Sequence, residues 1–215
     1  MNNSSLVDYT RISPNSTNPR NNAIKKITIH HMAGNLSIET CGNVFAPKSR
    51  QASSNYGIDS NGRVGMYVEE KNRSWCSSSA LNDHQAVTIE VANNSAAPNW
   101  TVSDKALAKL IELCTDICKR NGIKRLNYTG DATGNLTMHC WFAATSCPGP
   151  YLKSKFTYIA DEVNKQLIEI PTTTPSSTLY RVQVGAYSVK SNAEKQLEKV
   201  KSAGFSDAFI VSSEK

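Results

Sequence analysis

The chain has 215 residues, of which 39% are hydrophobic and 20% charged, and its formal net charge is +6. This composition is typical of a folded globular protein and excludes a disordered or fibrous chain. The basic residues form no dense Arg/Lys tract, so we expect no nucleic-acid partner. A bilayer-spanning helix needs about 18 consecutive apolar residues, and no run in the chain is that long, so we expect no membrane partner.

The N-terminal segment predicts an irregular arm followed by a strand. Residues 1–23 are rich in Asn, Ser and Pro, and they show neither the basic start nor the apolar core of a secretory signal. The largely alternating run 24–30 predicts a strand. Because successive strand side chains point to opposite faces, at most one of His30 and His31 is expected to reach a common metal.

A helix and a hairpin are predicted next. Ser37 can cap a helix that ends near Phe45, since a serine side chain accepts a hydrogen bond from the first turn. The segments 53–59 and 64–68 flank the turn signal Asn61-Gly62. This arrangement predicts a β-hairpin.

The middle of the chain predicts a buried strand and two amphipathic helices. The run 87–91 alternates, with Glu90 facing away from its β-branched neighbours. Apolar residues at spacings of three and four predict helices over 103–122 and 152–167, and a short strand is expected over 123–128.

Six cysteines are scattered along the chain and form no compact disulfide framework, so we expect reduced thiols and a cytosolic history. Cys114 and Cys118 belong to the apolar stripe of the helix over 103–122. That position makes them core residues rather than a metal-binding pair. Only Cys147 lies within a motif.

The C-terminal part predicts a separate small module. Residues 170–178 are rich in Pro, Thr and Ser, which is typical of a linker. The linker divides a first domain, 1–169, from a tail, 179–215. The tail predicts a β-α-β unit made of a strand, a helix and a strand: 180–187, 191–204 and 209–211.

A histidine and a cysteine eight positions apart, His139 and Cys147, share a loop that is closed by Pro148-Gly149-Pro150. Imidazole and thiolate are common zinc ligands, and a catalytic zinc needs three protein ligands and one open position. The third ligand is expected from His30 or His31. A zinc-bound water has a pKa of about 7, so it supplies hydroxide at neutral pH. This property favours hydrolysis of an amide or ester.

Three further side chains are candidates for the chemistry. Glu90 can move the proton that amide hydrolysis requires; the alternative is a carboxylate that faces solvent or caps a neighbour. Tyr56 and Thr145 can donate hydroxyl hydrogen bonds to the oxyanion of a tetrahedral intermediate. For each of these two, a structural role is the alternative.

Four motifs occur in one order: 27–34 (ITIHHMAG), 55–59 (NYGID) with Gly62, 87–91 (VTIEV), and His139 with 145–149 (TSCPG). In this order they resemble the zinc-dependent N-acetylmuramoyl-L-alanine amidases of type 2, relatives of phage T7 lysozyme and of peptidoglycan-recognition proteins. The resemblance covers about residues 20–165. It implies an α/β fold with a central mixed sheet flanked by helices, and a substrate groove over a zinc ion. It also implies cleavage of the amide between N-acetylmuramic acid and L-alanine.

Residue by residue, the resemblance implies three zinc ligands: His30, His139 and Cys147. Tyr56 matches the tyrosine that lies near the metal in this family. Glu90 matches the acidic residue that some bacterial members use as a base. Thr145 falls where lysozyme-like members have lysine and recognition-protein amidases have threonine, which implies a hydroxyl donor.

The tail resembles one half of a sporulation-related (SPOR) repeat, a module that binds peptidoglycan glycan, through the segments 181–187 (RVQVGAY) and 203–205 (AGF). The familiar module contains two β-α-β halves, and this chain has room for one. A two-stranded sheet with one helix is marginally stable alone. We therefore predict that two tails pair in a homodimer.

Together the two resemblances imply a zinc amidase that lyses bacterial walls, with peptidoglycan as its partner. We expect it to be made in the host cytoplasm and to reach the wall after holin-type export or lysis, as a phage or prophage endolysin does. A sporulation mother-cell autolysin of the same chemistry is one alternative. A non-catalytic peptidoglycan-recognition module is the other. Recognition-type relatives typically lose the ligand cysteine, so Cys147 favours the enzyme.

Overall fold

The computed structural model describes residues 2–168 and 182–212. The chain forms two compact units, Met1–Ile170 and Pro171–Lys215. The described part of the first unit contains these strands: Tyr9–Thr10 (β1), Ser16–Thr17 (β2), Lys26–His31 (β3), Tyr56–Ile58 (β4), Val64–Met66 (β5), Arg73–Ser74 (β6), Ala86–Val91 (β7) and Leu136–Met138 (β8). Its helices are Ile38–Phe45 (α1), Ala80–Gln85 (α2), Asp104–Arg120 (α3) and Gly149–Leu167 (α4). Among the described residues, no helix combines the length and the apolar character needed to cross a bilayer.

Six strands form one mixed sheet in the order β1-β5-β4-β7-β3-β8. Strands β4, β7, β3 and β8 run parallel to one another, and β1 runs parallel to β5. Strands β4 and β5 pair antiparallel, which confirms the predicted hairpin. Strands β2 and β6 form a separate antiparallel pair. The mixed sheet with flanking helices confirms the predicted fold class.

Helices α1 and α3 begin where the sequence predicts. The hydroxyls of Ser37 and Ser103 accept hydrogen bonds from the backbone N–H three residues later, at 3.2 and 3.1 Å. Helices α3 and α4 pack against each other and against one face of the sheet. Cys114 and Cys118 are fully buried in this core, so their predicted structural role is confirmed.

The short strand predicted over residues 123–128 is absent, because a side chain of α4 takes the place of a strand neighbour. The side-chain oxygen of Asn164 accepts from the Leu126 N–H at 2.8 Å. The amide nitrogen of Asn164 donates to the Leu126 carbonyl at 2.8 Å. The segment therefore satisfies its backbone groups without joining the sheet.

The second unit contains one helix, Lys190–Ser202 (α5), in its described part. The helix was predicted, but neither 182–187 nor 209–211 forms a strand, so the predicted β-α-β unit is wrong in the described residues. The apolar side chains of Val182 and Phe209 are 92% and 78% exposed, so neither is packed into a core. The predicted homodimer depended on the pairing of two such β-α-β units, so the structure does not support it.

The predicted linker over 170–178, together with residues 180 and 181, lies outside the described residues. The domain limits 1–169 and 179–215 stay predictions.

Candidate metal centre

Strands β3 and β7 bring a histidine and a carboxylate together. The two strands are parallel and in register, so that His30 lies directly beside Glu90 on the same face of the sheet. His30 is buried. His31 belongs to the opposite face, where its ring lies edge-on to Trp100 with a centroid distance of 5.2 Å. Strand parity therefore separates the two histidines as predicted.

The loop between β8 and α4 carries the other two predicted ligands. His139 opens a single 3-10 turn directly after β8. Cys147 returns to the same place because the Cys140 N–H donates to the Cys147 carbonyl at 3.1 Å. The Cys147 N–H in turn donates to Thr145 Oγ1 at 3.2 Å. These two hydrogen bonds fix the position of the Cys147 thiol.

Gly149 allows the loop to turn into α4 immediately after Cys147. Its φ is +82°, a conformation that side chains disfavour. A Cβ at this position would lie 3.1 Å from the Trp100 Cβ and 3.3 Å from the His31 Nδ1. Glycine is therefore required both by the backbone conformation and by the close neighbours.

The donor atoms of three predicted ligands meet at one point. One ring nitrogen each of His30 and His139 and the sulfur of Cys147 lie within 4.8 Å of one another. The distance from Cys147 Sγ to His30 Nδ1 is 3.7 Å. Zinc–nitrogen and zinc–sulfur bonds at a tetrahedral angle place these two atoms about 3.6 Å apart. The residues therefore fit a zinc ion, and the buried Nε2 atoms of His30 and His139 have no hydrogen-bond partner among the described residues.

The electrostatics of this group favour neutral ligands. Burial lowers the pKa of His30 well below its usual value, and the neighbouring His139 and His31 lower it further. Burial also lowers the pKa of His139. The pKa of the Cys147 thiol is raised, first by burial and then by the charge of Glu90. Two neutral imidazoles are ready to bind a cation, and a bound cation would stabilise the thiolate.

Glu90 lies at the edge of the metal centre, in contact with a residue that the sequence did not identify. The Cys76 thiol donates to Glu90 Oε1 at 3.9 Å. Glu90 Oε2 is buried without a hydrogen-bond partner among the described residues. Burial raises the pKa of Glu90 to about 8, although Arg50 opposes this shift. Cys76 lies in a polar segment without periodicity, so no pattern in the sequence indicated this contact.

A groove of about 470 Å³ opens above these residues. Its walls carry both aromatic and cationic side chains, which include Trp75, Arg50 and Arg73. Glu90 and His139 line it, so both are accessible from the groove. The Trp75 indole N–H donates to Thr17 at 2.9 Å, and this bond fixes the ring.

Tyr56 does not belong to the site, and its predicted catalytic role is wrong. In the register between β4 and β7, Tyr56 lies beside Ile89, on the face opposite to Glu90. Its hydroxyl donates to Glu70 Oε1 at 2.7 Å and accepts from the Ser4 N–H at 2.9 Å. The side chain is fully buried, so its hydroxyl is committed to the structure.

Comparisons with known proteins agree with this architecture. The family model described as N-acetylmuramoyl-L-alanine amidase matches residues 20–150, more than half of the chain. A SPOR domain model matches residues 158–212, of which 158–167 belong to α4. None of the curated protein sequences is similar enough to this chain to count as a relative.

Several solved structures share the fold of the first unit. A mutant of PlyL has a TM-score of 0.57 at 11% identity, over 72% of this chain and 96% of that chain. The hydrolase AmiA of Staphylococcus aureus, in complex with its ligand, has a TM-score of 0.57 at 16% identity, over 78% and 85%. The N-acetylmuramoyl-L-alanine amidase LysC of Clostridium intestinale URNW has a TM-score of 0.51 at 19% identity, over 71% and 94%. At these identities the likeness shows the fold, and together with the family match it leads to one conclusion: this chain belongs to the N-acetylmuramoyl-L-alanine amidase family and carries a SPOR domain after the amidase domain.

Proposed function

We propose that this chain is a zinc-dependent peptidoglycan hydrolase that cleaves the amide between N-acetylmuramic acid and L-alanine and so lyses bacterial cell walls. The observation that carries the proposal is the meeting of two imidazoles and one thiol, from His30, His139 and Cys147, beside an open groove. Family membership gives the reaction, and this set of donors gives the reason why the reaction would depend on zinc.

Bound zinc would supply an activated water and would polarise the carbonyl of the scissile amide. Glu90 would accept the proton of the attacking water, because its carboxylate lines the groove beside His30. Burial raises its pKa from that of an ordinary carboxyl towards neutral pH, the range in which a group both accepts and returns a proton efficiently. Glu90 would then give the proton to the leaving amine of L-alanine.

Thr145 would stabilise the negative charge on the carbonyl oxygen during attack. Its Oγ1 accepts the Cys147 N–H at 3.2 Å, so that its own hydroxyl proton remains available. The side chain is exposed at the end of the loop that holds Cys147. A donor aimed at the developing oxyanion contributes only in the transition state.

The second unit would hold the enzyme on its polymeric substrate. The SPOR match supports peptidoglycan as the binding partner of this unit. We propose that the chain is made in the host cytoplasm and reaches the wall after holin-type export or lysis, in the manner of a phage or prophage endolysin. Host cells that express the chain with a holin should lyse, and cells that express the chain alone should not.

Metal content and product analysis test the enzymatic proposal together. The full chain is stripped of metal, reloaded with zinc and added to purified walls of known chemotype, and the soluble products are identified by mass spectrometry. We expect one tightly bound zinc ion and the release of stem peptides that begin with a free L-alanine amine. Wall binding without release by the zinc-loaded chain would instead identify a non-catalytic recognition module.

A further inference from the structure

A second group of potential ligands lies next to the first. One donor atom each of His30, Cys76 and Glu90 lies within 4.8 Å of the other two. His30 is common to both groups, so the two groups are adjacent. Cys76 and Glu90 both line the groove, and a cation can therefore reach them from solvent.

The backbone of Cys76 is held in place by a buried carboxylate. The N–H groups of Cys76 and Ser77 both donate to Asp83 Oδ2, at 3.0 and 3.1 Å. Asp83 is buried at the start of the short helix α2. The thiol is therefore presented to Glu90 by a fixed segment.

The distances suit a divalent cation that prefers sulfur and oxygen. The Cys76 sulfur lies 3.9 Å from Glu90 Oε1. Ligands on a tetrahedral zinc through one sulfur and one oxygen lie about 3.6 Å apart, so a shift of a few tenths of an ångström completes the geometry. Glu90 Oε2 is buried without a hydrogen-bond partner among the described residues, a condition that a cation or an ordered water relieves.

We propose that Cys76 and Glu90 form a second, weaker site for a thiophilic divalent cation, adjacent to the metal centre at His30. The site is weaker because the imidazole of His30 is committed to the first ion, which leaves two protein ligands and water. Binding releases the thiol proton of Cys76 to solvent, together with the carboxyl proton of Glu90 where that group is protonated. The resulting thiolate and the Glu90 carboxylate balance the two positive charges of the cation.

Occupation of the second site inhibits the amidase. This consequence rests on the proposed function, in which Glu90 moves the proton. A carboxylate bound to a cation offers its lone pairs to the metal and is a poor base. Zinc therefore activates the chain at low concentration and inhibits it at higher concentration.

Cadmium binding to the metal-free full chain tests the site independently of activity. Thiolate-to-cadmium charge transfer gives an ultraviolet band for each bound thiolate, and the wild-type chain should show two successive steps. Cys76→Ser and Cys76→Ala should each lose the second step, and Cys147→Ser should lose the first. Cys118→Ala is the control, since Cys118 is a free cysteine of the apolar core and belongs to neither group, and it should keep both steps. A single step in the wild-type chain would overturn the proposal.

Zinc titration on purified walls tests the inhibition. The activity of the wild-type chain and of Cys118→Ala should rise up to one equivalent of zinc and fall with further zinc. Cys76→Ser, compared with its own maximum, should need at least about tenfold more zinc for the same fall. An identical fall in Cys76→Ser contradicts an inhibitory role for this site. Absence of turnover at every zinc concentration would refute the proposed function, while the cadmium steps would still decide whether the second site exists.

Discussion

The two faces of the central sheet have opposite characters, although they are built from the same strands. One face presents residues such as Ile29 and Ile89 to helices α3 and α4, and it is apolar and fully buried. The other face presents Thr28 and Thr88, followed by His30 and Glu90 at the ends of the strands. Stability and chemistry are thus assigned to alternate residues of one strand, and a shift of register by one residue would exchange them.

On the polar face, some side chains have hydrogen-bond partners and others have none among the described residues. Thr28 shares a hydrogen bond with Thr137 at 2.9 Å and accepts one from Asn82 at 2.9 Å. At the ends of the strands, His30 Nε2 and Glu90 Oε2 have no hydrogen-bond partner among the described residues. Buried polar groups are normally paired, so the unpaired end marks the place where a ligand is expected.

Loss of a metal ligand should give the largest effect. Cys147→Ser replaces a soft thiolate by a hydroxyl that binds zinc poorly, so we expect amidase activity to fall by roughly a thousandfold or more. Zinc content, measured on the purified chain, should fall with it, while binding to walls through the second unit is retained. Cys118→Ala, in the apolar core, is the control and should keep both zinc and turnover. Full turnover in Cys147→Ser would remove this residue from the site.

Neighbouring positions of β7 compare the two faces directly. Glu90→Gln keeps the shape of the side chain but removes the base, so kcat should fall by about 10²–10⁴-fold with zinc content unchanged. Ile89→Val, one residue away on the apolar face, should lower the free energy of unfolding by about 0.5–1.5 kcal/mol and leave kcat per folded molecule unchanged. Wall turnover and urea unfolding of both variants measure the contrast. A reversed pattern would mean that the register in solution differs from the one described.

Thr145 should give a smaller catalytic effect, because it contributes one hydrogen bond in the transition state. Thr145→Ala should lower kcat by about 10²-fold with little change in KM, and Thr145→Ser should recover much of the loss. Thr133→Ala, at an exposed threonine outside the site, should behave as the wild type. If Thr145→Ser were as slow as Thr145→Ala, the hydroxyl would not be the active group.

The sequence predicted those parts of the fold that carry their own periodicity. Strand β7 alternates over residues 87–91, and α3 repeats its apolar residues at spacings of three and four, so each pattern identifies both the element and its buried side. The tail, 179–215, also alternates in part. Its described residues form no strand, because alternation cannot supply the neighbours that a sheet needs.

The candidate site was predicted only in part, for a similar reason. Motif spacing pointed to His139 and Cys147, which share one short loop. Cys76 was missed because its contact with Glu90 depends on how distant segments pack. Tyr56 was assigned to the site although its side chain lies on the opposite face. Its orientation follows from the register of β4 against β7, and a single sequence does not give that register.

The smallest expected effect therefore tests the face to which Tyr56 belongs. Tyr56→Phe removes the hydroxyl that joins Glu70 to the Ser4 N–H, both of them buried. Glu70 keeps its ion pair with Arg120 at 2.6 Å, so the free energy of unfolding should fall by only about 1–2 kcal/mol. Turnover per folded molecule should stay within about twofold of the wild type, since the hydroxyl lies on the apolar side of the sheet. Tyr158→Phe, at a half-exposed ring, is the control and should change neither quantity. A large loss of turnover with an unchanged free energy of unfolding would mean that the Tyr56 hydroxyl takes part in catalysis after all.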